Sequence, residues 1–215
     1  MNDLDRDVAG VAHAHQQLLA DLDTVTAEQV RKPSRLPDWT MAHVLAHIAG
    51  NADGCTRMIE GACRGEVADQ YEGGFEGRQR DIDARASLSA AELVDLVRRT
   101  IWRLETAWAL CSADGWLGSG VSLMGVVPVD DLPFRRWRET VIHHADLGLA
   151  YTWRDWPNDY VRIELQRQTM SWASRKPMGL TQLPAAAMAV DDHHRLAWLV
   201  GRADIDGLGQ AGMFA

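Results

Sequence analysis

The stretch LPFRRWRETVIHHADLGLA, residues 132–150, decides the fold and suggests the chemistry together. Pro133 stands where a helix tolerates proline, in the first turn, because the N–H it lacks would have no intrahelical partner there. A helix over 132–150 is therefore expected. On it Glu139 and His143 are four residues apart, sharing a face with Cβ atoms roughly 5–6 Å apart, so both side chains can reach one ion. His144 is turned about 100° away from His143, which suits the surface or a supporting position.

Upstream, SRLPDWT reads as a turn with Asp38 or Thr40 as a helix cap, and residues 40–64 read as a second helix. Its apolar stripe runs Met41, Val44, Leu45 and Ile48, with His47 near the same face and His43 one turn earlier. If the two helices face each other in a bundle, His47 completes a His, Glu, His set with Glu139 and His143. Three protein ligands leave one position for water, thiol or substrate, which is the pattern of a catalytic zinc. Plainer readings exist for the same residues. His43 and His47 could be packed or surface histidines, and Glu139 with His143 a helix-surface hydrogen bond.

Two further helices complete the bundle. One is expected over 3–31, with Val8, Val11, Leu18, Leu19 and Leu22 at helical spacing. The other is expected over 88–112, capped by Ser89 and striped by Leu93, Leu96, Val97, Ile101, Leu104 and Trp108. Between the helices over 40–64 and 88–112, GEVADQYEGGFEGRQR (65–80) reads as a loop entering a short helix, and after 112 GVSLMGVVPV (120–129) reads as a hairpin or loop. Composition shifts at TWRDWPND (152–159), followed by a helix over 158–175, strand-like runs GLTQL and AAAMAV, and a helical HHRLAWLVGR. The expected class is α+β: an antiparallel four-helix bundle over 1–152 and a small C-terminal α/β domain over 153–215.

The net charge of −8 and pI near 5.4 argue against a nucleic-acid binder. No apolar run is long enough to span a membrane. The acidic start MNDLDRDVAG lacks the features of a signal peptide. Cys55, Cys63 and Cys111 have no knuckle spacing, so free, buried thiols in a reducing cytoplasm are expected. Of nine tryptophans, Trp39, Trp102, Trp108 and Trp137 are expected in the core. His13 and His15 are expected to be solvated, and His193 with His194 to form a polar turn.

LPDWTMAHVLAHIAGNAD (36–53) together with RWRETVIHHADLGLAY (136–151) resembles the mycothiol-dependent maleylpyruvate isomerase family, a branch of the DinB-like metalloenzymes. The likeness runs from the first helix through the bundle and into the small C-terminal domain. It implies a zinc or other divalent ion on His47, Glu139 and His143, with His43 not a ligand. It also implies Arg78 and Arg202 as grips for the carboxylates and enolate of a small dicarboxylate substrate. The implied reaction is isomerisation of maleylpyruvate to fumarylpyruvate in gentisate breakdown. A low-molecular-weight thiol, mycothiol by family or ergothioneine or glutathione in another host, adds as thiolate, lets the former double bond rotate, and is eliminated. A zinc-dependent S-transferase and a non-catalytic metal-binding module are the rival readings, and the residues binding the thiol are not identified. Whether the protein is a monomer or homodimer is not read from the sequence.

Overall fold

Helix α2 (Met41–Cys63) is buried along most of its length, on every side. Met41, Ala42, Val44, Leu45, Ala46, Ile48, Ala49 and Ala52 are all in the core. A helix that is apolar all round must be surrounded, and α2 packs against α3 (Gly74–Ala86), α4 (Ala90–Leu110) and α6 (Leu132–Asp146). Helix α1 (Asp3–Leu22) packs on α6 and α4, so the four long helices close into a bundle. Each leucine or isoleucine on these seams stabilises it by about 1.5–3 kcal/mol on burial. The computed structural model describes residues 3–175 and 181–211.

Local chemistry sets the ends of the helices. At α4, the Ser89 hydroxyl accepts from the Glu92 N–H, and the Glu92 carboxylate accepts from the Ser89 N–H at 2.8 Å, forming a capping box. Helix α6 carries proline in its first turn as expected. It stops at Asp146, short of 150, because Gly148 takes a left-handed φ of 78° that ends the spiral. Helix α1 also stops short of the expected 31. The chain turns after Leu22 and restarts as a 3₁₀ turn at Gln29–Arg31. There Thr26 and Gln29 exchange side-chain to backbone hydrogen bonds of 2.8 and 3.2 Å.

Helix α1 meets α6 closely at Gly10, where a Cβ would come within 2.5 Å of the Trp137 ring. The short helix α5 (Ala113–Trp116) follows α4, and the hairpin of β1 (Ser119–Ser122) and β2 (Gly125–Pro128) follows it, pairing antiparallel with Ser122 opposite Gly125. Trp108 and Trp137 are core residues, but Trp102 is 68 % exposed. It sits one step round α4 from the buried Ile101, outside the stripe.

The chain divides into two compact units, Met1–Ala150 and Tyr151–Ala215. In the second, α7 (Asn158–Ala173) packs on α9 (Asp192–Leu199), with α8 (Ala185–Ala189) between them in sequence. Trp198, Leu199, Ile205 and Ala187 form its core. The run AAAMAV is thus helical rather than a strand. Alanine and methionine are strong helix formers, and Pro184 fixes the start. Residues 181–183 of GLTQL form no strand, and the rest of that run lies outside the described residues. Among the described residues, the strands of this α+β fold are those of the β1–β2 hairpin. Among the described residues no helix is long and apolar enough to cross a membrane.

Candidate metal centre

Helices α2 and α6 bring three side chains from distant segments to one point. The His47 Nε2 lies 2.9 Å from the Glu139 Oε2, and the His143 Nε2 lies 3.5 Å from the same oxygen. The two imidazole rings meet edge to face at 4.5 Å between centroids. One donor atom from each of the three lies within 4.8 Å of the others. A tetrahedral zinc with ligands near 2.05 Å needs them about 3.3 Å apart, so the 2.9 and 3.5 Å pairs bracket the requirement.

The surroundings fit a cation. His143 Nδ1 lies 2.9 Å from the carboxylate of Asp146, itself buried. This acceptor holds the proton on Nδ1 and leaves Nε2 facing the centre, as in carboxylate–histidine–metal arrangements. Although burial alone would raise the Glu139 pKa, its hydrogen bonds to His143 and His47 hold it well below the usual carboxylate range. For His47, burial outweighs its carboxylate partner and lowers the ring's pKa to about 4, so it stays neutral and ligand-competent at pH 7. Burial would lower His143 too, but the hydrogen bonds to Asp146 and Glu139 win and raise it.

A family model described as the mycothiol maleylpyruvate isomerase N-terminal domain matches residues 11–148. The chain belongs to that family. A crystal structure of the mycothiol-dependent maleylpyruvate isomerase superimposes with a TM-score of 0.83 at 24 % identity, covering 94 % of this chain and 90 % of that one. A histidine-to-alanine mutant of that isomerase gives 0.82 at 23 %, with the same coverage. At such identity the likeness is one of fold, and it bears out the α+β, DinB-like bundle. No curated protein matches the chain.

Arg78, from the first turns of α3, reaches His47 from the other side. Its Nη2 donates to His47 Nδ1 at 3.1 Å, and its guanidinium lies 5.9 Å from the Trp39 ring and 6.0 Å from the Tyr71 ring. Burial, with Glu139 nearby, keeps the Tyr71 phenol protonated. His43 accepts from the Thr40 N–H at the start of α2 and is a cap. Arg202 belongs to the second unit, where its Nη1 donates to the Val200 carbonyl at 2.8 Å. His193 and His194 hydrogen-bond backbone carbonyls of that unit, at Trp156 and Asp204.

Several residues beside the site were not singled out by the sequence. Asp146 and Asn51 sit inside the two motifs yet gave no signal of their own. The fully buried Arg136 donates to the Ile48 carbonyl, the Asn51 side chain and His15 Nε2, at 2.9, 2.9 and 3.1 Å. His15 in turn lies 2.8 Å from Glu105. A polar chain, buried at His15, Arg136 and Asn51 and reaching the half-exposed Glu105, therefore joins α4, α1, α6 and α2. His15 is not solvated as expected, and His144 is buried against Asp21 at 2.8 Å.

This network predicts an acid sensitivity. Because the Arg136 Nε–H donates to His15 Nε2, the ring is held neutral, and burial lowers its pKa to about 4. Between about 6.5, the unfolded value, and about 4, the unfolded chain binds a proton that the folded chain refuses, so stability falls as pH falls. The expected loss is about 3 kcal/mol, complete below pH 4. Urea midpoints of the wild type and His15→Gln across this window should diverge; parallel curves would remove His15 as the cause.

Proposed function

We propose that the protein is a divalent-cation- and thiol-dependent isomerase that converts maleylpyruvate to fumarylpyruvate, a step of gentisate breakdown. His47, Glu139 and His143 would hold the cation, zinc by the donor set, and mycothiol would be the thiol, in a reducing cytoplasm. The observation that carries this reading is the convergence of those three donors beside the cationic Arg78. A cation held there would favour the thiolate form of a coordinated thiol, whose free pKa is about 8.5, and so would supply at neutral pH the nucleophile that addition, bond rotation and elimination require.

The chain's own residues do the positioning. Asp146 fixes the tautomer and orientation of His143 through Nδ1. Trp39 and Tyr71 wall the Arg78 side chain, which is proposed to grip a substrate carboxylate and the enolate formed on addition. Arg78 can only donate, so its bond to His47 Nδ1 requires a proton on Nε2, toward Glu139. A neutral imidazole that gives Nε2 to a cation carries its proton on Nδ1 instead. The Arg78 to His47 bond and the cation therefore compete, and loading frees Arg78 for an anion. A carboxylate role for Arg202 rests on the family resemblance alone; loss of substrate affinity in Arg202→Ala would support it.

Arg78→Ala should accordingly lower turnover about 100-fold while tightening cation binding about tenfold, the worth of one hydrogen bond to a charged group. Turnover assays and a competitive chelator titration measure the two, and unchanged turnover would remove the role. The function itself is tested by mixing the zinc-loaded protein, maleylpyruvate, and mycothiol, ergothioneine or glutathione in turn. Isomerisation leaves the thiol unconsumed. One thiol lost per turnover would mark an S-transferase, and no reaction with any thiol would leave a metal-binding module.

A further inference from the structure

The described cysteines differ from the buried, inert thiols expected. Cys55 is buried, but Cys63 is exposed and Cys111 half-buried. Forty-eight positions apart in sequence, the sulfurs of Cys63 and Cys111 lie 3.1 Å from each other. Cys63 is the last residue of α2, and Cys111 caps the C-terminal end of α4. Gly115 in α5 lies directly over the pair. A Cβ there would come within 2.7 Å of one sulfur and 2.8 Å of the other, so only a glycine leaves room for both.

We propose that Cys63 and Cys111 form an oxidation-responsive dithiol, which a hydroperoxide closes into an intramolecular disulfide. The exposed Cys63 reacts first: its sulfur takes one peroxide oxygen to become a sulfenic acid, and the peroxide leaves as an alcohol or water. The Cys111 sulfur then attacks the Cys63 sulfur, the S–O bond breaks, and water departs with the Cys111 proton. Burial and the neighbouring Cys63 sulfur together push the Cys111 thiol up to about 12. Cys111 therefore stays a protonated thiol at neutral pH, and the exposed Cys63 is the one that meets the oxidant first. Both residues sit at helix ends, where the backbone has freedom to close the last ångström to a bond of about 2.05 Å.

The disulfide would tie the end of α2 to the end of α4. Cys63 lies sixteen residues after His47, about 24 Å along the helix, so the bond reports on the fold and not on the metal centre. This inference is independent of the proposed reaction.

The test treats the full-length protein with hydrogen peroxide and follows intact mass and peptide maps. Expected are a loss of two hydrogens, a Cys63–Cys111 linked peptide, a reduced Cys55, and reversal by dithiothreitol. The melting temperature of the oxidised form should rise by roughly 5–15 °C. Oxygen added at Cys63 with Cys111 still alkylatable, or a dimer linked through Cys63, would overturn it. In Cys111→Ser, dimedone should trap the Cys63 sulfenic acid that the wild type resolves; equal trapping in both would also overturn it.

Discussion

His47→Ala is expected to leave the bundle folded and the protein unable to keep a cation. Dialysed metal content should fall from about one ion per chain to near none, and thiol-dependent turnover by at least about 1,000-fold. The reason is geometric. Glu139 and His143 are neighbours on one helix, and without His47 nothing from α2 opposes them. Two ligands on one face leave the ion largely to water. The folded state loses only one imidazole from a half-polar site, so helix content should hold. His43→Ala is the control, since that residue caps α2 through Thr40 and should cost under about 1 kcal/mol with metal content intact. Full metal occupancy in His47→Ala would remove the trio as the binding site.

Arg136→Met is expected to be the most destabilising single change in the bundle. It keeps the volume roughly but strips the donor from three buried acceptors: the Ile48 carbonyl, the Asn51 side chain and His15 Nε2. Truncating one member of a buried charged network costs about 3–5 kcal/mol, because the groups left behind stay desolvated. For a domain of this size that lowers the melting temperature by roughly 10 °C. Chemical denaturation with a shared slope measures it. A cost below about 1 kcal/mol would mean that the network contributes no net stability. Because Arg136 reaches α1 and α2 from α6, the loss should appear as a lower denaturant midpoint of the whole bundle.

The sequence was legible where a signal is local. Ser89 and Pro133 marked helix starts because caps act within one turn, and the i, i+4 pair on α6 showed its shared face for the same reason. The closure of the trio by His47 was legible only on the assumption that two helices face each other, with family resemblance supporting it. Asp146 was invisible because an acidic residue three positions after a histidine near a helix end looks the same whether it orients a ligand or meets solvent. The chain of Glu105, His15 and Arg136 could not be read at all. Its members are separated by 90 and 121 positions, and each is of a type that usually faces water. The Cys63–Cys111 pair escaped notice in the same way. Trp102 and AAAMAV misled for a different reason: hydrophobicity was read as burial or strand, where phase on the helix and intrinsic propensity governed.

The glycines at 10 and 50 lie on two different bundle helices, α1 and α2, and obey opposite rules. A methyl group at Gly50 would meet nothing closer than an arginine nitrogen at 3.7 Å. Alanine there should be accepted, and its better helix propensity, worth about 1 kcal/mol, would be realised. At Gly10 the same methyl would have to displace an indole wedged between two helices. In a saturation library, codon 10 should therefore return glycine almost alone, while codon 50 drifts. An engineer seeking a hardier scaffold would begin with the second position and leave the first untouched.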